Sequence, residues 1–317
     1  MPSQLAISIG QHSDKGRKET NQDFHGALIP EEPLLGLKGI AIVLADGIST
    51  SEVSGIASES AVKSFLTDYY CTPDSWSVKT SAQRVIAATN SWLHSQTRQS
   101  QYLYDKDRGY VCTLSAIVIK STTAHIFHIG DTRIYRVAGH SLEQITEDHR
   151  IVVSSQQSYL GRALGVNPQI EIDYRPVKVE RGDLFLLATD GVYEHVSSHF
   201  ISEAINGSAN QLDSAARTIV EEARRQGSPD NRLSRSSELT NCRTARKATS
   251  SGRHRNCRVL RCWKHEWSWM AIKSSEKSTA AAEATSTLPS TPQVARRLPS
   301  RRPRSIYEPI RHTCNDS

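Results

Sequence analysis

Apolar residues recur along this chain in two rhythms. Residues 5–10 and 24–29 read as short strands on either side of a polar loop, residues 12–23. Residues 40–45 are uninterrupted Ile, Ala, Val and Leu, a short run bounded by turn residues and so a buried strand. From 53 to 66, and again from about 80 to 97, apolar residues return every three or four positions, the period of an amphipathic helix. Ala82, Val85, Ile86, Trp92 and Leu93 form the buried stripe of the second. After Val111 the pattern shortens to strands at 112–119, 125–129 and 133–139, the last ending in an Ala-Gly-His turn. Residues 170–174 alternate as a half-buried strand, residues 184–188 repeat the buried run, and residues 211–226 close as a helix with Leu212, Ile219 and Val220 on one side. Antiparallel strands grouped apart from helices predict an α+β layered fold rather than a doubly wound parallel sheet.

Both buried runs end on the same dipeptide, Asp46-Gly47 and Asp190-Gly191. Gly after Asp lets the backbone turn sharply and brings a carbonyl close to whatever the carboxylate holds. Two such ends, more than 140 residues apart, place carboxylates at the rim of one core. Hard divalent cations favour such oxygen donors, whereas an isolated Asp-Gly is ordinary turn chemistry.

Composition divides the chain. Its net charge of +6 combines a body, residues 1–231, with 21 Lys and Arg against 27 Asp and Glu, and a tail, residues 232–317, with 18 against 6. The basic balance belongs to the tail, so specific nucleic-acid binding is not expected of the body. Of the six cysteines only Cys71 and Cys112 lie in the body, without framework spacing, which suits a reducing compartment. The N-terminus shows no signal-peptide pattern and no run is long enough to span a membrane, which predicts a soluble cytoplasmic protein, expected as a monomer.

Six short motifs then appear in one order: Asn21-Gln22-Asp23, Ala45-Asp46-Gly47, Ile129-Gly130-Asp131-Thr132-Arg133, Thr146-Glu147-Asp148-His149, Thr189-Asp190-Gly191 and Gly227-Ser228-Pro229-Asp230-Asn231. Together they resemble the PP2C-type metal-dependent protein serine/threonine phosphatases in their bacterial form, over roughly residues 5–231. The resemblance implies an αββα sandwich, two antiparallel sheets face to face with helices on both outer sides. It implies hydrolysis of phosphoserine and phosphothreonine on protein substrates, with room for a cognate Ser/Thr kinase as partner, and Mg²⁺ or Mn²⁺ as cofactor: two ions, with room for a third. Such ions lower the pKa of a shared water to roughly 7 and clamp phosphoryl oxygens, so no side-chain nucleophile is required. By the same resemblance Asp46 bridges the ions and the Gly47 carbonyl completes one coordination sphere. Asp190 and Asp230 serve the other ion, Asp23 acts through water, and Asp131 belongs to the third. Asp148 and His149 are expected to be structural. An aspartyl-phosphate mechanism with a second Asp two residues on is excluded, because Ile48 and Val192 hold those places.

The chain departs from the family at three points. An Arg commonly binds substrate phosphate five residues before the first-motif Asp; here Lys18 stands there with Arg17 beside it, a point charge in place of a planar fork. The loop after Gly47 lacks the usual further glycines. After Asn231 the expected apolar closing strand gives way to Arg-Leu-Ser-Arg-Ser-Ser-Glu, so the domain is expected to lack that strand and the tail to be disordered. These departures leave a second reading, a catalytically silent phosphoprotein-binding scaffold. The abrupt change in charge and Cys usage at 232 fits translation in a shifted frame. The coding DNA tests this: another frame after codon 231 should encode an alternating apolar strand, and the idea is dead if none does.

Overall fold

In the computed structural model the described residues are 4–154, 157–208, 211–227 and 235–245. The chain runs β1 (Gln4–Asp14), β2 (Asp23–Leu28), α1 (Leu34–Lys38), β3 (Ile40–Asp46), α2 (Ser54–Cys71) and α3 (Val78–Gln99). It continues through β4 (Leu114–Lys120), β5 (Thr123–Ile129), β6 (Arg133–Ala138), β7 (Ser141–Gln144), β8 (Arg150–Ser154), β9 (Gln157–Leu160) and β10 (Asp173–Lys178). It closes with β11 (Leu184–Ala188), α4 (Asp190–Tyr193), α5 (Ser198–Gly207), α6 (Leu212–Arg225) and β12 (Arg235–Ala245).

The strands form two five-stranded antiparallel sheets, ordered β10-β5-β4-β3-β2 and β1-β12-β11-β6-β7, with β8 and β9 as a separate hairpin. Three apolar clusters show how they stack. Ala41, Val43 and Ala45 of β3 pack against Ala57, Ala61 and Phe65 of α2 and Val85 and Ile86 of α3. The alternate residues Ile42 and Leu44 meet Phe185 and Leu187 of β11 between the sheets. Leu186 and Ala188 face Ala216, Ile219 and Val220 of α6 on the far side. This is the expected αββα sandwich. Central strands buried on both faces have no polar side, which is why β3 and β11 read as unbroken apolar runs instead of alternating.

Details differ from expectation for physical reasons. The strand expected at 170–174 lies at Asp173–Lys178 and contains Pro176; it is an edge strand paired only with β5, where a missing N–H is tolerated. The short strands β7 to β9 and the helices α1, α4 and α5 were not predicted; apart from α5, whose Phe200, Ile201, Ala204 and Ile205 do recur at helical spacing, their runs are too brief for a period to show. The Ala-Gly-His turn is a hairpin between β6 and β7, with Gly139 at φ 59°.

The largest correction concerns the closing strand, which was expected to be missing from a domain ending at 231. Arg235–Ala245 lies antiparallel between β1 and β11, pairing Asp14 with Arg235 through to Gln4 with Ala245, and Leu184 with Asn241 through to Ala188 with Ser237. A slot between two strands offers donors and acceptors on both sides, and the ladder that fills it is made by backbone, whatever the side chains. Asp230 and the tail from 246 onward lie outside the described residues. A chain ending at residue 234 leaves β1 and β11 as open edges and should aggregate or lose cooperative unfolding by circular dichroism, whereas one ending at 245 should keep it. Equal behaviour of the two would show that β12 contributes nothing.

Candidate metal and phosphate site

Asp23 opens β2 and Asp46 ends β3, and the two are direct cross-strand partners. Thr113 fixes Asp46 from the next strand: its Oγ1 accepts from the Asp46 N–H at 2.9 Å, and its own N–H donates to the Asp46 carbonyl at 2.8 Å. Gly47 follows with its N–H on the Gln22 carbonyl at 3.1 Å. A Cβ at 47 would lie 2.8 Å from that carbonyl oxygen and 2.9 Å from the Ser54 backbone, so only glycine fits this turn. Asp190 arrives from the other sheet, as the first residue of α4 directly after β11.

These three carboxylates oppose one another. Both oxygens of Asp23 are buried and accept no hydrogen bond from the described residues, although Asp46 and Thr189 are close neighbours. Burial, with the Asp190 charge adding to it, pushes the Asp23 pKa up to about 7 against the pull of Asp46 and Lys18. Burial also raises Asp46 well above the ordinary carboxylate range, reinforced by the charges of Asp23 and Asp131. Asp190 is raised in the same way by burial and by Asp46 and Asp131, although 26% of its side chain stays open to solvent. Buried carboxylates without donors are costly unless a cation compensates them. An all-oxygen set with an orphaned carboxylate fits a hard divalent ion better than zinc. Among the described residues no three acidic, His or Cys side chains close on a common point, so the fit rests on donor chemistry and uncompensated charge.

The two basic candidates separate. The Lys18 ammonium donates to Gln22 Oε1 at 2.8 Å and Ser49 Oγ at 3.2 Å, near enough to draw down the pKa of Asp23 and Asp46. Arg17 is exposed and makes no hydrogen bond to the described residues. Asp131 does not stand free: Arg150 Nε donates to its Oδ2 at 2.8 Å, and the Tyr193 hydroxyl donates to its carbonyl at 2.8 Å. Asp148 is gripped by Arg133, whose guanidinium stacks 3.7 Å from the centre of the Tyr193 ring. His149 accepts the Gly130 N–H on Nδ1 at 3.0 Å, so its Nε2 carries the proton toward Asp173. Both Asp148 and His149 are thus tied into structural contacts. Sequence reading assigned no role to Gln22, Ser49, Thr113 or Arg150; Gln22, inside the first motif, and Arg150, adjoining the Asp148-His149 motif, left a signal, and the other two left none.

The protein phosphatase 2C family matches residues 11–234 of this chain. Serine/threonine phosphatase Stp of Listeria monocytogenes is 25% identical over 241 residues, 69% of this chain and 90% of that protein. Protein phosphatase PhpP of Streptococcus pneumoniae is 26% identical over 243 residues, 71% and 94% respectively. Among solved structures, serine/threonine phosphatase Stp1 from Staphylococcus aureus superposes with a TM-score of 0.64 at 17% identity, over 76% of this chain and 97% of that one. The catalytic domain of the phosphatase PstP, in complex with two manganese ions, gives 0.61 at 23%, over 75% and 99%.

Raised carboxylate pKa values have a stability consequence. In chelator the folded protein keeps a proton on Asp23 that the unfolded chain releases near its ordinary value of 3.8, so stability should fall as pH rises from there toward about 7. Asp23→Asn should flatten that slope and raise the melting temperature in EDTA at pH 7.5. Mn²⁺ at roughly 100 times its dissociation constant should stabilise the wild type by about 2.7 kcal/mol per bound ion and the variant by less. Differential scanning fluorimetry reads both; a variant that melts lower in EDTA and responds fully to Mn²⁺ would contradict the charge argument.

Proposed function

The chain belongs to the protein phosphatase 2C family, and on that premise we propose that it hydrolyses phosphoserine and phosphothreonine monoesters of protein substrates in a reaction dependent on Mg²⁺ or Mn²⁺. The observation that carries this reading is the convergence of buried, mutually repelling carboxylates from both sheets, Asp23 and Asp46 from one and Asp190 from the other, with an ammonium beside them. Two divalent ions held there would supply an activated water and neutralise phosphoryl oxygens.

The residues of the chain then have distinct tasks. Asp46, pinned by Thr113, and the Gly47 carbonyl present oxygens at the end of β3, while Asp190 presents one from α4. Asp23, the cross-strand partner of Asp46, would add a further negative charge to the cluster when the ions are bound. Asp230, by its motif, adds a further carboxylate. Lys18, steadied by Gln22 and Ser49, meets the phosphate dianion of the substrate, with less angular control than a guanidinium would exert. All described ligand positions keep their carboxylates, and nothing in the cluster supports the alternative of a silent scaffold.

Hydrolysis of p-nitrophenyl phosphate with Mn²⁺, and its loss in EDTA, is the first test; a folded protein with no metal-dependent rate would refute the reading. Asp46→Asn and Asp190→Asn should each lower kcat by roughly 10²–10³, the scale of losing one pre-placed electrostatic group. Lys18→Ala should act mainly on KM, and Lys18→Arg should restore it. If Arg17→Ala raises KM and Lys18→Ala does not, the phosphate-binding assignment reverses.

A further inference from the structure

Arg150 opens β8 immediately after His149 and inserts its guanidinium into the acid cluster. Nε donates to Asp131 Oδ2 at 2.8 Å, one terminal nitrogen donates to Glu194 Oε1 at 2.7 Å, and the other donates to Asp190 Oδ2 at 3.3 Å. Only 26% of its side chain is exposed, so this is no loose surface pair. The partners are held too. Tyr193 fixes the Asp131 backbone, Arg133 stacks on Tyr193, and Asp190 and Glu194 are joined through the first turn of α4, where the Glu194 N–H donates to the Asp190 carbonyl at 3.0 Å.

A guanidinium stays charged at any working pH and offers its donors in a rigid planar fork. Here the fork spans three carboxylates from two segments of the chain. A divalent ion entering between Asp131 and Asp190 would have to expel it, breaking three charge-assisted contacts, or lie within a few ångströms of a fixed positive charge. Among the described residues no cationic side chain spans Asp23 and Asp46 in this way: Lys18 reaches them only as a point charge and directs donors to Gln22 and Ser49.

We infer that Arg150 is a built-in cation that neutralises Asp131, Asp190 and Glu194 and thereby keeps a third divalent ion out of the space between Asp131 and Asp190. The inference rests on the metal-dependent reading above and revises the role that resemblance assigns to Asp131. In this chain Asp131 anchors an arginine. Because Arg150 is also the first residue of β8, the same contact ties the β8–β9 hairpin to the acid cluster.

Equilibrium dialysis of the full chain against Mn²⁺ tests this without reference to turnover. The wild type should saturate at two ions and take no more at about ten times the saturating concentration. Arg150→Ala should bind one further ion, and adding Asp131→Asn to that variant should abolish it. Arg150→Lys, which keeps the charge, should stay at two, and Arg150→Gln repeats the measurement should the alanine variant not fold. A wild type that binds three ions, or Ala and Gln variants with isotherms superimposable on it, overturns the inference alone. A folded wild type that binds no Mn²⁺ overturns it together with the metal-dependent reading.

Discussion

Like charges forced together at the mouth of a rigid sandwich are the constraint on which this molecule turns. Asp23 and Asp46 face each other across one antiparallel pair, and Asp190 is delivered by the opposite sheet. Each raises the proton affinity of another, and among the described residues Asp23 has no hydrogen-bond donor for either oxygen. An arrangement so unfavourable to the bare protein is stable only because the strands carrying it cannot move apart. On the proposed reading the energy of the fold is thereby converted into affinity for cations, as when a buried charge is retained because function demands it.

The rigidity has an identifiable source. β3 is buried on both faces, with small residues Ala41 and Ala45 toward the helices and large ones, Ile42 and Leu44, toward the second sheet. β11 repeats this with Leu186 and Ala188 outward and Phe185 and Leu187 inward. Close packing on both sides of a strand fixes its end within a fraction of an ångström, and a misplacement of about an ångström is enough to spoil a reactive geometry. The backbone of Asp46 is fixed twice more by Thr113, and Gly47 is pressed so closely against Gln22 and Ser54 that no side chain can enter. Deep core and reactive rim are consecutive residues of the same strand.

The same facts decide what could be read from the sequence. Double burial makes β3 and β11 unbroken apolar runs, each followed by an Asp-Gly pair, so fold class and these strand-end carboxylates were legible. Arg150 was not, because its role comes from bridging Asp131 with Asp190, forty positions further along, and periodicity carries no information about such a contact. β12 was illegible for the opposite reason. Its register sets positions 238 and 240 against Leu187 and Phe185, whose side chains fill the space between the sheets, yet Glu238 and Thr240 follow no apolar alternation. Backbone pairing selects the slot while side-chain pattern argues against it, and a reading built on pattern returns the second answer only.

Placement of the two cations completes the logic of the site. Lys18 approaches the cluster from the β1–β2 loop, on the side of Asp23 and Asp46, and is held by neutral partners, Gln22 and Ser49, that leave its charge unspent. Arg150 approaches from β8, on the side of Asp131 and Glu194, and is held by carboxylates that consume its charge. A dianionic phosphate is drawn to unspent positive charge and gains little from a guanidinium already paired with three anions. On the proposed reading the cluster is therefore asymmetric: a substrate phosphate would be drawn toward Lys18, while Arg150 already compensates the Asp131 side. Asp190, touched by Arg150 yet repelled by Asp46, lies on the boundary between the two sides.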